Sequence, residues 1–158
     1  MQNKKIVIGM SGGVDSSVAA LLLKKQGYVV IGIFMKNYSD TKNELTGECN
    51  WRGEKRMAAK IAAQLEIPFF TVDYEKQYKK FVIGKMFKDY SHGLTPNPDI
   101  LCNKIIKFPA LFKEAKKHGA NLIATGHYAR VKKTSQGFEL LRGKDKKKDQ
   151  SYFLYELT

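Results

Sequence analysis

Acidic residues are in short supply in this chain. It carries 15 Asp and Glu against 28 Lys and Arg, a formal net charge of +13. That balance is unusual for a small metabolic enzyme. It points to a polyanionic partner, because Lys and Arg contacts to phosphate carry most sequence-independent nucleic-acid affinity. Lys far outnumbers Arg, so a general lysine enrichment spread over every solvated face stands as the alternative. Cysteine is nearly absent. Cys49 and Cys102 lie far apart with no paired spacing, which argues against a zinc site or a disulfide framework. Only 4 Pro and a hydrophobic content of 43% argue against disorder. No apolar run reaches the ~18 residues of a membrane span. Lys4-Lys5 precede an apolar stretch that runs straight into a glycine turn, so it reads as a first strand and not a signal peptide. No internal repeats occur. The expectation is one cytoplasmic, monomeric domain of 158 residues with no membrane contact.

What is present is a strand–turn–helix signal. Ile6-Val7-Ile8 leads into Gly9-Met10-Ser11-Gly12-Gly13-Val14-Asp15-Ser16-Ser17, and a helical pattern follows at once. Paired glycines let backbone N–H groups approach an anion with no Cβ in the way. The helix start adds unsatisfied donors and the positive end of its dipole. Ser11, Ser16 and Ser17 add hydroxyls, and Asp15 is placed to hold Mg²⁺ against phosphate oxygens. The expected ligand is a pyrophosphate group, most simply that of ATP. A plain capped turn is the bland alternative. The spacing is neither a Walker A loop nor Gly-x-Gly-x-x-Gly.

Strand and helix patterns then alternate. Strands are expected at 5–10, 29–35, 69–72 and 122–125, and helices at 14–26, 54–65, 74–91 and 105–118. Gly27 is placed to end the first helix, and Pro109 marks a kink or a new first turn in the last. Residues 36–53 read as a long loop, residues 93–99 as a shorter one, and 128–131 with 138–141 as a hairpin about Gln136-Gly137. The order argues for an α/β fold with a doubly wound, mostly parallel sheet and a short hairpin near the C-terminus. Ligands in such folds bind beyond the carboxyl ends of the strands, where Ser11, Met35 and Gly126 fall.

A second signal is Thr95-Pro96-Asn97-Pro98-Asp99-Ile100-Leu101-Cys102-Asn103. The prolines restrict the backbone and hold Asp99 and Cys102 in a fixed relation near a helix start. A helix start and nearby lysines lower a thiol's pKa. A buried, inert Cys102 is the equal alternative.

The Ser-Gly-Gly-x-Asp-Ser turn resembles the PP-loop of ATP pyrophosphatases, which cleave ATP between its α and β phosphates. Five ordered motifs extend the likeness. They are residues 12–16, Met35-Lys36-Asn37, Thr95 to Asp99 with Cys102-Asn103 and Ile106-Lys107-Phe108, Ala124 to Arg130, and Lys148 to Leu154. Together they resemble the bacterial tRNA-specific 2-thiouridylases over essentially the whole chain. The resemblance implies an adenine nucleotide alpha hydrolase-like fold. It implies that Gly9, Met10, Ser11, Gly12, Gly13, Val14, Asp15 and Ser16 hold the phosphates of ATP, while Met35 and Gly126 contact the nucleoside. Asn97, Pro98 and Asp99 would meet a flipped uridine, and His127, Lys148, Asp149 and Gln150 would meet tRNA. Cys102 would be the nucleophile, with Asp99 beside it. The implied reaction adenylates the uracil O2 with Mg²⁺ assistance and then replaces that oxygen with sulfur from a persulfide relay protein.

The family's persulfide cysteine matches no position through Thr158, and Cys49 does not correspond to it. The family's later tRNA-binding and β-barrel domains are likewise unmatched. The chain is therefore expected to bind ATP and tRNA without completing thiolation. Rival readings are another PP-loop pyrophosphatase, such as an amidating synthetase or a tRNA lysidine synthetase, and a non-catalytic nucleotide- or RNA-binding module. His92 and His118 read as solvated, Trp51 and Tyr38 as loop residues that stack on a base or anchor the loop, and Phe69, Phe70, Phe81 and Phe87 as core.

Overall fold

The computed structural model describes residues 4–39 and 49–157. Strand β1 (Lys5–Gly9) is buried on both faces, as its unbroken Ile6-Val7-Ile8 run requires. The pleat sends Ile6 and Ile8 to one side and Val7 to the other. β2 (Val29–Lys36) repeats the pattern, with Val30 and Phe34 opposite Ile31 and Ile33. β3 (Phe69–Asp73) and β4 (Leu122–Ala124) complete a four-stranded sheet in the order β3-β2-β1-β4. All three pairings are parallel.

Helix α1 (Val14–Lys25) and α2 (Asn50–Gln64) cover one face of the sheet through Ala20, Ala58 and Ala62. Leu111 and Ala115 of α6 (Phe108–Lys117) cover the other. Helices on both faces of a parallel sheet make the doubly wound α/β fold. The chain leaves β1 for β2 on one side and returns to it with β4 on the other. The carboxyl ends of β1 and β4 therefore flank the crevice where such sheets bind ligands.

Several expected boundaries move. α2 starts at Asn50, so the expected loop ends at Cys49, and Trp51 belongs to the helix. Trp51 packs against the core there with Lys36 and Arg52 near its ring, an anchor rather than a free stacking surface. Residues 40–48 of that loop lie outside the described residues. The expected helix 74–91 is α3 (Glu75–Tyr78), a π turn (Lys79–Ile83) and α4 (Gly84–Ser91). The last helical stretch begins early, at α5 (Pro98–Cys102). It continues through a second π turn (Asn103–Lys107) into α6, where Pro109 occupies the first turn. Gly27 ends α1 with φ +85°, as read.

The aromatic expectations fare less well. Phe69 packs against the core, but Phe70, Phe81 and Phe87 are exposed. His118 is not solvated: its ring stacks on Phe70 at 4.4 Å. The hairpin is longer than expected, β5 (Ala129–Thr134) pairing with β6 (Gly137–Arg142) in antiparallel register.

Candidate functional site

Two glycines let the chain close tightly around the end of β1. Gly12 adopts φ +83°, and a Cβ there would come within 2.5 Å of the Glu54 carbonyl oxygen. A Cβ on Gly126 would fall 2.5 Å from the Ser16 nitrogen. Gly126 thus lets the turn after β4 lie directly on the first turn of α1. Hydroxyls organise the turn between them. The Ser11 N–H donates to Ser16 Oγ at 3.3 Å, the Gly13 N–H to Ser11 Oγ at 3.3 Å, and Ser17 Oγ donates to the Gly13 carbonyl at 2.7 Å. Gly13 caps α1 without a side-chain bond, so the first-turn N–H groups are left to a ligand.

This turn forms one end of a cavity of about 370 Å³. Gly9, Met10, Ser11, Gly13, Asp15, Ser16, Met35 and Gly126 line it. Of the residues expected at ATP, Gly12 and Val14 do not. Gly12 shapes the turn from behind, against α2, and Val14 is exposed and lines an adjoining groove that shares Asp15 and Gly126 with the cavity. Asp15 and Glu54 are the carboxylates that line the cavity among the described residues. At the foot of the cavity, Thr125 Oγ1 lies 2.7 Å from His127 Nδ1.

A second cavity, about 190 Å³, holds Asp99 and Cys102 together with Asn103 and Phe153. Asn103 is buried and donates through Nδ2 to the Phe153 carbonyl at 3.1 Å. The two cavities share three wall residues, Lys107, His127 and Gln150. Sequence reasoning thus placed Cys102 and Asp99 together and gave Lys107 no role, although it sits inside a motif already noted. Asn97 and Pro98 line a third cavity of about 230 Å³ and do not reach the Cys102 pocket. The Asn97 side chain is occupied as an N-cap, accepting from the Asp99 and Ile100 N–H groups at 3.2 Å each.

Electrostatics in the second cavity favour the buried thiol over the activated one, the two readings that spacing left equal. Cys102 closes α5 within a helical stretch that continues through the π turn, so no helix start faces it. Burial pushes its thiol above the ordinary value. Asp99 adds to this and Lys107 opposes it. Burial likewise presses the Lys107 ammonium below its ordinary value, against the pull of Cys102 and Asp99. His127 is held down to about 4, chiefly by burial and then by Lys107, so it is neutral at physiological pH.

The 148–150 segment is largely spent on holding itself. Asp149 Oδ1 accepts from the Gly143 and Ser151 N–H groups at 2.9 and 3.1 Å. Gln150 Oε1 accepts from the Tyr128 N–H at 3.0 Å, while the Gln150 N–H donates to the Tyr128 carbonyl at 2.9 Å. These bonds fix Gln150 against the shared wall. Lys148 stands 5.5 Å from the Tyr128 ring centroid with its ammonium on the surface. Arg130, Lys132 and Lys133 on β5 and Lys144, Lys146 and Lys147 in the turn after β6 are exposed as well.

Comparison with known proteins identifies the family. Residues 4–158 match the family model described as the tRNA methyl transferase HUP domain. The chain is 50% identical to the tRNA-specific 2-thiouridylase MnmA of Christiangramia forsetii over 98% of its own length and 40% of that protein's. Against the MnmA of Bacillus subtilis the identity is 50%, over 99% of this chain and 42% of the other. The chain therefore spans about two fifths of the length of the curated relatives it matches. Among solved structures, it is similar to the U34-tRNA thiolase NcsA from Methanococcus maripaludis with its [4Fe-4S] cluster. That likeness has TM-score 0.57 and 25% identity, over 80% of this chain and 39% of that one. In the present chain, among the described residues, no three His, Cys, Asp or Glu side chains converge as metal ligands.

Proposed function

The chain belongs to the tRNA-specific 2-thiouridylase family, and from that premise we propose that it carries the ATP-binding and base-activating part of a tRNA sulfurtransferase. The observation that carries the proposal is the shared wall. A phosphate cradle and a thiol-bearing pocket adjoin through Lys107, His127 and Gln150. Activation of a carbonyl oxygen by a triphosphate, followed by its replacement with sulfur, calls for that adjacency. Methyl transfer calls for neither part.

The cavity fits the nucleotide. Ser11, Gly13 and Ser16 offer donors to the β and γ phosphates, and Met35 stands at the end of β2 for the nucleoside. Asp15 would hold Mg²⁺ against the phosphate oxygens. One carboxylate suffices, because Mg²⁺ keeps several waters and takes other ligands from phosphate. Bound Mg²⁺ would neutralise charge developing on the departing pyrophosphate. Asp99 and Cys102 would receive the flipped uracil in the second cavity. Its O2 bonds to the α phosphorus as the bond to the β-phosphate oxygen breaks. The terminal sulfur of a persulfide carried by a partner then bonds to C2 as adenylate leaves with the former O2. Cys102, giving up its proton, attacks the partner's inner sulfur. The S–S bond breaks, C2 keeps its sulfur, and a disulfide between Cys102 and the partner remains. The exposed Lys148 and the lysines of the turn before it, Lys144, Lys146 and Lys147, take the tRNA backbone.

The test uses ATP labelled at the γ position, Mg²⁺ and bulk tRNA. Release of labelled pyrophosphate that depends on tRNA supports the reading. Nucleotide bound without release, with tRNA present, would reduce the chain to a nucleotide-binding module.

A further inference from the structure

Lys107 occupies the wall common to both cavities, and no role has been assigned to it. It is the one Lys or Arg among the described residues that lines the two together. It ends the π turn Asn103–Lys107, a wider turn that recurs at functional positions in helices. No described carboxylate pairs with it. Asp99 and Cys102 act on it only through space, and His127 beside it is uncharged at neutral pH. A half-buried cation that no described carboxylate meets in an ion pair is costly unless a ligand provides one.

We infer that Lys107 binds the α-phosphoryl group of the nucleotide and so marks where the base oxygen meets phosphorus. The inference rests on the reading above and assigns a catalytic residue within it. The position follows from the two cavities. The serines and first-turn N–H groups lie at the α1 end and take the β and γ phosphates. The base lies beyond the shared wall with Cys102 and Asp99. The phosphorus between them is the α phosphorus, and Lys107 is the cation at that junction. A fixed charge there meets the negative charge spread over the α-phosphoryl oxygens as one P–O bond forms and the other breaks. It then faces the adenylate that leaves when sulfur reaches C2. With phosphate bound, the ammonium also gains the close partner that the described residues do not provide.

The experiment measures equilibrium binding of ATP with Mg²⁺, AMP and adenosine to the wild-type chain, Lys107→Gln and Lys107→Arg. A charged hydrogen bond of this kind is worth about ten- to a hundredfold in affinity. Lys107→Gln is expected to lose that factor for ATP and AMP alike and to bind adenosine as the wild type does. Lys107→Arg keeps most of the affinity, which shows that charge and not packing is at issue. Loss of ATP binding with AMP untouched would place the contact at the β or γ phosphate and overturn the assignment. Equal loss of all three ligands, or of none, would overturn it too. If the wild type binds neither ATP nor AMP, the functional reading falls as well. That outcome is distinct from a variant that binds like its parent.

Discussion

Gly126→Ala tests whether the turn after β4 and the first turn of α1 form one rigid cradle. The new Cβ would stand 2.5 Å from the Ser16 nitrogen, 2.6 Å from the Asp15 carbonyl carbon and 2.7 Å from the Ser16 Cα. Ordinary contact is about 3.5–4.0 Å, so these atoms must part by roughly 1 Å. All three are backbone atoms of one helical turn, and no flexible side chain is available to yield. Overpacking against such a wall costs about 2 kcal/mol. For a domain of this size that lowers Tm by roughly 4–8 °C. The same movement carries the first-turn N–H groups away from the cavity, so ATP affinity should fall by about tenfold. Thermal melts with and without ATP and Mg²⁺ read both effects, since a ligand bound to the folded state raises Tm. Gly53→Ala is the control. Gly53 lies in the first turns of α2, and a Cβ there meets nothing within 4 Å. That change should raise stability by about 0.5–1 kcal/mol. A Gly126→Ala chain that melts within about one degree of its parent and keeps its full ATP-induced shift would refute the cradle geometry.

Other consequences can be checked separately. Hydrogen bonds from Lys36, Ser39 and Lys79 hold Glu75 down to about 2, from its ordinary 4.5. A depressed carboxylate stabilises fully above its unfolded value and loses that contribution as pH falls through its folded one. Glu75→Gln should therefore flatten the decline of Tm between about pH 4.5 and pH 2, and parallel curves would contradict this. In a Cys49→Ser background, the rate of Cys102 alkylation should rise only above the ordinary thiol value of 9.0, because burial raises the group. Half-maximal reactivity at or below that value would count against the buried site. His127 should titrate near pH 4 by NMR. Its folded value lies below its unfolded one, so it should subtract stability as pH falls from about 6.5 to about 4. A midpoint near 6.5 would disprove its burial. Asp149→Ala should speed hydrogen exchange at the Gly143 and Ser151 amides, which it accepts from. Unchanged protection there would mean that the carboxylate does not hold the loop.

Local chemistry in the chain determined a good deal. Ile6-Val7-Ile8 followed by Ser11-Gly12-Gly13 dictates a buried strand that ends in an anion-binding turn. The alternation of strand and helix periods leads to a parallel sheet with its ligand edge at the carboxyl ends. Pairings between distant segments lay beyond that reach. Spacing alone leaves Cys102 equally an activated thiol at a helix start and a buried, inert one. In the fold the helix has already begun at Pro98, and burial acts against activation. Lys107 looked like one lysine among many, because its place on a wall shared by two cavities depends on how α5, His127 after β4 and Gln150 converge. Asp149 and Asn97 carry the polar groups of ligand-binding residues, yet their hydrogen bonds go to neighbouring backbone. Periodicity along a chain reports which face of an element is apolar. Which charges and donors remain without partners is decided only when segments far apart in sequence have packed.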